Sequence, residues 1–212
     1  MRKGKEMRFH YRAAVAMIKL LVGILRGMEK QGSEHIPAQG AVLIAANHIA
    51  YFDPPLIGSA SPRELYYMAK KELFENSLFG WLISKFNAFP ISRGSFDREG
   101  IKKATEVLRE GNALLVFPEG TRSKDGNLKE PKLGAAKLAL EAGVPIVPAC
   151  IDYSGSWLKA FFQRKKIKIK FGSPIKPEEF DGIPKNKEGY LSITRQIFER
   201  IKDLKEDGKV TA

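Results

Sequence analysis

Strands alternating with helices along 212 residues predict a single α/β domain, with a mixed, mostly parallel sheet flanked by helices and an N-terminal amphipathic helix. Three observations carry this. AVLIAA at 41–46 and ALLVF at 113–117 are continuous apolar runs, as expected of strands buried on both faces. Helix-like segments stopped by Gly111 and Gly143 stand between such runs. An apolar share of 43%, with 28% charged residues and no long tract of one sign, gives one domain a sizeable core.

The elements follow in chain order. The first 30 residues read as one amphipathic helix, which divides the chain into a helix at 1–30 and a domain at 31–212. Arg8, Arg12, Lys19, Arg26 and Lys30 fall at spacings of four and seven, on one stripe. Phe9, Ala13, Met17, Leu20, Leu21, Ile24, Leu25 and Met28 fill the rest. Such a helix suits a membrane interface; it equally suits a helix packed on its own domain with solvated cations. Strands are predicted at 41–46, 65–69, 88–91, 113–117, 144–151 and 166–171. Helices are predicted from Pro54, at 72–86, 97–110, 133–142 and about 187–205. KIKIKF at 166–171 alternates strictly and reads as a half-exposed strand.

A net charge of +12 points to an anionic partner: nucleic acid, an anionic membrane surface or phosphate-bearing substrates. The basic residues are scattered, and no nucleic-acid-binding motif appears, so nucleic acid is the weakest of these. The single cysteine, Cys150, excludes an internal disulfide and a cysteine-rich zinc site; its apolar run predicts a buried, inert thiol. Lys19 interrupts the longest apolar stretch, Ala13 to Leu25, so neither a bilayer span of about 20 residues nor a signal peptide is expected.

Residues 47–53 read NHIAYFD and meet Pro54-Pro55. In a helix, five residues turn the chain by about 500°, which would point His48 and Asp53 about 140° apart. The prolines favour another geometry. A residue before proline is pushed out of the α region, so Asp53 is expected extended, as an N-cap with Pro54 at the first helical position. A loop can then fold His48 onto Asp53. A carboxylate on one imidazole nitrogen fixes the tautomer and leaves the other nitrogen to take a proton, which makes a general base. The plainer alternative is that Asp53 only caps its helix and His48 only binds a carbonyl.

FPEGTRS at 117–123 puts a carboxylate, a glycine, a hydroxyl and a guanidinium on a turn at a strand's carboxyl end. Open α/β sheets bind ligands along that edge. If the strands at 41–46 and 113–117 are parallel, both motifs meet in one crevice, where Arg122 could grip a phosphate. A surface turn with a weak ion pair is the alternative. FPISR at 89–93 again ends a short strand with an arginine. VPIVPA at 144–149 looks structural.

Together NHxxxxD, FPISR, FPEGTRS and VPIVPA, in this order and spacing, resemble the glycerolphosphate acyltransferase family, of the bacterial lysophosphatidic acid acyltransferase type. The similarity covers roughly residues 30 to 175. The resemblance implies transfer of a fatty acyl group from acyl-CoA or acyl-carrier protein to the free hydroxyl of 1-acyl-glycerol 3-phosphate, giving phosphatidic acid in phospholipid biosynthesis. His48 would be the base and Asp53 its partner. Arg93 and Arg122 would bind phosphate, and Glu119, Gly120 and Thr121 would form the acceptor-binding turn. Lys70 would be a third phosphate contact, or else a solvated strand end beside Lys71. No metal, cofactor or covalent acyl-enzyme is implied; the acyl thioester is a co-substrate.

The implied partners are lysophospholipid, acyl thioester, acyl carrier protein and an anionic membrane surface. The implied location is cytoplasmic, peripheral on the inner face of the cell membrane. Acyl transfer to another glycerol-phosphate or lyso-lipid acceptor, or a non-catalytic lipid-binding module, are the competing readings. Leu78, Phe79, Trp81, Leu82, Ile83 and Phe86 would line an acyl channel or enter lipid, or else form helix core. Lys166, Lys168 and Lys170 would meet anionic lipid or a carrier's phosphates, or else protect an edge strand.

Overall fold

The structure is a computed structural model that describes residues 7–25, 27–92, 97–123, 125–153 and 166–207. Its strands form one sheet. They are β1 (Met28–Gln31), β2 (Val42–Ala46), β3 (Leu65–Lys70), β4 (Ala88–Ile91), β5 (Ala113–Val116), β6 (Ile146–Asp152) and β7 (Ile167–Phe171). The order is β1-β7-β6-β2-β5-β3-β4, and only the β6–β7 pair is antiparallel. The helices are α1 (Phe9–Leu25), α2 (Asp53–Ala60), α3 (Ser77–Lys85), α4 (Arg98–Arg109), α5 (Gly134–Ala142) and α6 (Lys187–Glu206).

The apolar runs are central strands because both sheet faces are covered. Along β2, Val42, Ile44 and Ala46 join the α2 face with Leu56, Ile57 and Tyr153. Leu43 and Ala45 join the opposite face with Val107, Leu138, Ile193 and Ile197. All five β2 residues are fully buried. A strand with two dry faces has no place for an alternating polar residue.

Local chemistry sets the helix ends. Asp97 caps α4 by accepting from the Gly100 amide (2.9 Å), and Asn186 caps α6 by accepting from that of Gly189 (3.1 Å). Gly143 ends α5 at φ 63°, the left-handed conformation that glycine adopts without a Cβ clash.

Several sequence expectations are corrected. The first 30 residues are not one helix: α1 stops at Leu25, Gly27 turns at φ 77°, and Met28–Gln31 is an edge strand paired with β7. A division at residue 30 therefore falls inside β1. It follows that β7 is not an edge, since β1 covers it; Lys168 and Lys170 are half-buried. Residues 72–86 are a 3-10 turn at Lys71–Phe74 followed by α3. The α3 apolar residues are not core: Leu78, Phe79, Trp81 and Leu82 are exposed, Leu78 at 75%. β6 begins at Ile146, two residues later than expected.

α1 has two different faces. Tyr11 is buried; its hydroxyl accepts from the Leu65 amide (3.1 Å) and lies 2.9 Å from the Tyr67 hydroxyl. Arg8 pairs with Glu64 at 2.9 Å and also donates to Asn87. The outer face exposes Phe9, Met17, Leu20 and Leu21. Among the described residues no helix is long and apolar enough to cross a membrane.

The Tyr11 hydroxyl serves a buried amide that has no other described partner. Tyr11→Phe is therefore expected to lower the unfolding free energy by about 1–3 kcal/mol, the cost of a buried donor left unpaired. Urea denaturation measures it, and an unchanged midpoint would contradict the assignment.

Candidate active site

β2 and β5 are neighbours and parallel, with Val42 opposite Ala113 and Ala45 opposite Val116. NHIAYFD and FPEGTRS consequently leave the sheet side by side at its carboxyl edge. β6 flanks β2 on the other side, also parallel, and ends at Asp152, just before Tyr153. Three strand ends thus converge on one loop.

Asp53 is the centre of that loop. It is fully buried and is the first residue of α2, with Phe52 at the N-cap position, so the expected extended N-cap is corrected. Pro54 is consequently the second helical residue rather than the expected first, still within the opening turn. The Asp53 carboxylate turns back on the loop. Its Oδ2 accepts from the amides of Ile49 (2.5 Å) and Ala50 (2.8 Å) and from Nδ1 of His48 (2.7 Å). Its Oδ1 accepts from the Tyr153 hydroxyl at 2.5 Å. The carboxylate can only accept here, so Nδ1 carries the proton and Nε2 presents a lone pair.

The His48 ring stacks on Phe117, with centroids 4.0 Å apart and planes inclined by 17°. The residue is only 6% exposed. No described residue hydrogen-bonds Nε2. The His48 side chain keeps 8% of its surface exposed. The arrangement is a base with a fixed tautomer, a blocked ring face and a small open edge.

FPEGTRS grips the backbone of the same histidine. Oε1 of Glu119 accepts from the His48 amide (3.1 Å), and the His48 carbonyl accepts from the Ser123 amide (2.7 Å). Oε2 of Glu119 accepts from the Lys129 amide at 3.3 Å. The Glu119 carboxylate is thus turned inward onto two backbone amides. Burial, the largest influence, raises its pKa above the ordinary 4.5, while the two amides and Lys129 pull it down. The Arg122 guanidinium lies 3.4 Å from the centroid of the Tyr51 ring, a cation–π contact that draws it over the histidine loop. On the other side Asn47 bonds both the amide (2.8 Å) and the carbonyl (3.0 Å) of Ile151 in β6.

The structure therefore brings His48, Asp53, Glu119, Gly120, Thr121 and Arg122 together. Gly120 sits at φ 66° and Thr121 is exposed. Lys70 ends β3, and its ammonium pairs with Glu72 at 2.8 Å. Arg93 lies outside the described residues. Sequence reasoning missed Tyr153, Asn47 and Phe117. The first two could have been found by asking which groups at the end of the VPIVPACID strand would satisfy a buried loop beside it.

The family model for acyltransferases matches residues 27–152. The chain is 33% identical over 196 residues to the 1-acyl-sn-glycerol-3-phosphate acyltransferase of Bacillus subtilis, covering 92% of this chain and 96% of that protein. It is 31% identical over 211 residues to the enzyme of that name from Streptococcus pneumoniae, covering 98% and 76%. The crystal structure of the 1-acyl-sn-glycerophosphate (LPA) acyltransferase from Thermotoga maritima superposes with a TM-score of 0.76 at 26% identity, covering 95% of this chain and 80% of that one.

Two outcomes are expected from this geometry. Tyr153→Phe leaves Oδ1 of a buried carboxylate without its phenol donor and should cost about 1–3 kcal/mol of stability, read by urea denaturation. Glu119 holds its proton in the folded state at pH values where the unfolded chain has released it. The folded state then binds more protons, so its contribution to stability falls as pH rises from about 4.5 through the raised folded value. Relative to Glu119→Gln, the wild-type protein should lose stability as pH rises from about 4.5 through the raised folded value; a gain over that rise would refute the assignment.

Proposed function

Because this chain belongs to the acyltransferase family, we propose that it moves a fatty acyl group from an acyl thioester to the free hydroxyl of 1-acyl-glycerol 3-phosphate, giving phosphatidic acid. The observation that carries the reading is the buried His48–Asp53 pair at 2.7 Å, with Nε2 bonded to no described residue and Arg122 over Tyr51 of the same loop. Asp53 holds the ring and favours the imidazolium that forms when Nε2 takes the acceptor hydroxyl's proton. The acceptor oxygen attacks the thioester carbonyl carbon, a C–O bond forms, and the C–S bond breaks. The departing carrier thiolate, from coenzyme A or acyl carrier protein, receives the proton back from the imidazolium. The reading uses no cofactor, metal or acyl-enzyme.

Arg122, and Arg93 by resemblance, suit the acceptor phosphate, because a guanidinium matches two phosphate oxygens at once. Lys70 is an auxiliary cation at the neighbouring strand end. Thr121 is exposed on the turn, and Gly120 before it holds the bend at φ 66°.

We also propose peripheral attachment to an anionic membrane on its cytoplasmic face. α1 exposes Phe9, Met17, Leu20 and Leu21, α3 exposes Leu78, Phe79, Trp81 and Leu82, and the His10 ring of α1 packs against that of Phe86, just past α3, with centroids 6.1 Å apart. The surplus of basic residues adds about 1 kcal/mol for each one near the headgroups. Removing residues 1–28 would cut into β1, so substitution on the exposed face is the cleaner test. Leu20→Glu with Leu21→Glu should sharply reduce co-sedimentation with anionic vesicles at physiological salt. Full co-sedimentation would refute attachment through α1.

A matrix of donors and acceptors, read by release of carrier thiol, tests the reaction. Turnover is expected with 1-acyl-glycerol 3-phosphate. His48→Ala should lower kcat by about 10²–10⁴-fold while acceptor binding persists, and Asp53→Asn should cost a comparable factor. A His48→Ala variant of undiminished rate would remove the imidazole from the mechanism.

A further inference from the structure

Resting on the acyl-transfer reading, we propose that Lys132 is a phosphate-binding residue of this site, supplying a second cation on the FPEGTRS turn for the acceptor's phosphomonoester. Lys132 reaches the turn from the segment that leads into α5. Its amide donates to the Pro118 carbonyl at 2.8 Å, which ties its backbone to the turn. Its side chain then lies across Gly120: the position a Cβ would occupy there is 3.1 Å from Cδ, 3.2 Å from Cε and 3.3 Å from Nζ. Gly120 is also left-handed, at φ 66°. A side chain at 120 would be strained and would crowd the lysine, so glycine leaves the space that the lysine fills.

The electrostatics separate Lys132 from its basic neighbours. The Lys129 ammonium donates to the Arg122 carbonyl (2.9 Å), and that of Lys205 donates to the Gly126 carbonyl. The carboxylates close in sequence to the turn are occupied as well. Glu119 serves the His48 and Lys129 amides, and Asp125 accepts from the Ser123 hydroxyl and from Asn127. No described carboxylate forms an ion pair with Lys132, and its side chain is exposed. An ammonium laid over a turn without a carboxylate is available to a mobile anion.

The turn assigns the anion. Gly120 follows Glu119, whose carboxylate holds the amide of the general base, and Arg122 sits two residues further on over Tyr51. A phosphate at Gly120–Thr121 would have the Lys132 ammonium as a point charge and the Arg122 guanidinium as a planar fork. Such an anion is held on the turn whose Glu119 binds the His48 amide, which suits the acceptor; the phosphates of the thioester carrier are the other source of the same chemistry.

Steady-state kinetics of Lys132→Ala, Lys132→Gln and Lys132→Arg, varying each substrate in turn, test the assignment. Loss of the cation should raise KM for 1-acyl-glycerol 3-phosphate about 10- to 100-fold in the Ala and Gln variants, with kcat within about threefold and donor KM unchanged. Lys132→Arg should restore most of the affinity. An unchanged acceptor KM would overturn the proposal. So would a fall confined to kcat, or a rise confined to donor KM, which would place the cation on the carrier. Calorimetry with glycerol 3-phosphate keeps the two readings apart. A wild-type protein that binds it and is inactive on every acceptor would sink the transferase reading, whereas weaker binding by Lys132→Ala would still support the lysine.

Discussion

A carboxylate withdrawn from water must find its hydrogen bonds inside the protein, and Asp53 finds four: two loop amides, an imidazole and a phenol. Each donor belongs to a different demand of the fold. The Ile49 and Ala50 amides bend the loop. The imidazole is the proposed base. The phenol comes from the end of a neighbouring strand. Satisfying one buried charge thereby folds residues 48 to 53 into a single conformation and chooses the tautomer of His48 at the same time. The proposed base and the local structure rest on the same set of bonds.

The sheet makes this possible. β2 is central, with β5 on one side and β6 on the other, all three pointing the same way. The loop after β2 can therefore be held from both flanks. Glu119 and Ser123 take the backbone of His48 from the β5 side, while Asn47 binds the strand backbone of β6. A histidine fixed at its amide, its carbonyl, its Nδ1 and one ring face has little orientational freedom left to lose when a substrate arrives.

Much of this architecture was legible in the sequence. Runs such as AVLIAA and ALLVF are long enough and apolar enough to name buried strands. The blocks at 47–53 and 117–123 marked two strand ends that the parallel pairing of β2 and β5 brings together. Illegible features were those decided by tertiary partners. Gly27 turns the chain out of the helix, but nothing local marks Met28–Gln31 as extended; pairing with β7 makes it a strand. KIKIKF alternates as an edge strand would, and is covered because that short strand joins it. The aromatic residues of α3 have a core-like composition, and their exposure depends on what the surrounding elements leave open. Asp53 looked like a helix cap because prolines follow it, yet a buried imidazole and two amides compete more strongly for its oxygens than the helix's own first turn does. Tyr153 lies 100 residues from Asp53, with no local pattern to announce it.

The lone cysteine bears on how cleanly such a protein could handle activated acyl groups. A free thiolate near a thioester would exchange with it and leave the protein itself acylated. Cys150 is buried in β6, where desolvation, reinforced by the charge of Asp152, pushes its thiol up to about 12. At neutral pH essentially none of it is nucleophilic, so the only sulfur of its kind in the chain is no rival for the substrate hydroxyl, and self-modification is closed off by the same core that holds the sheet together.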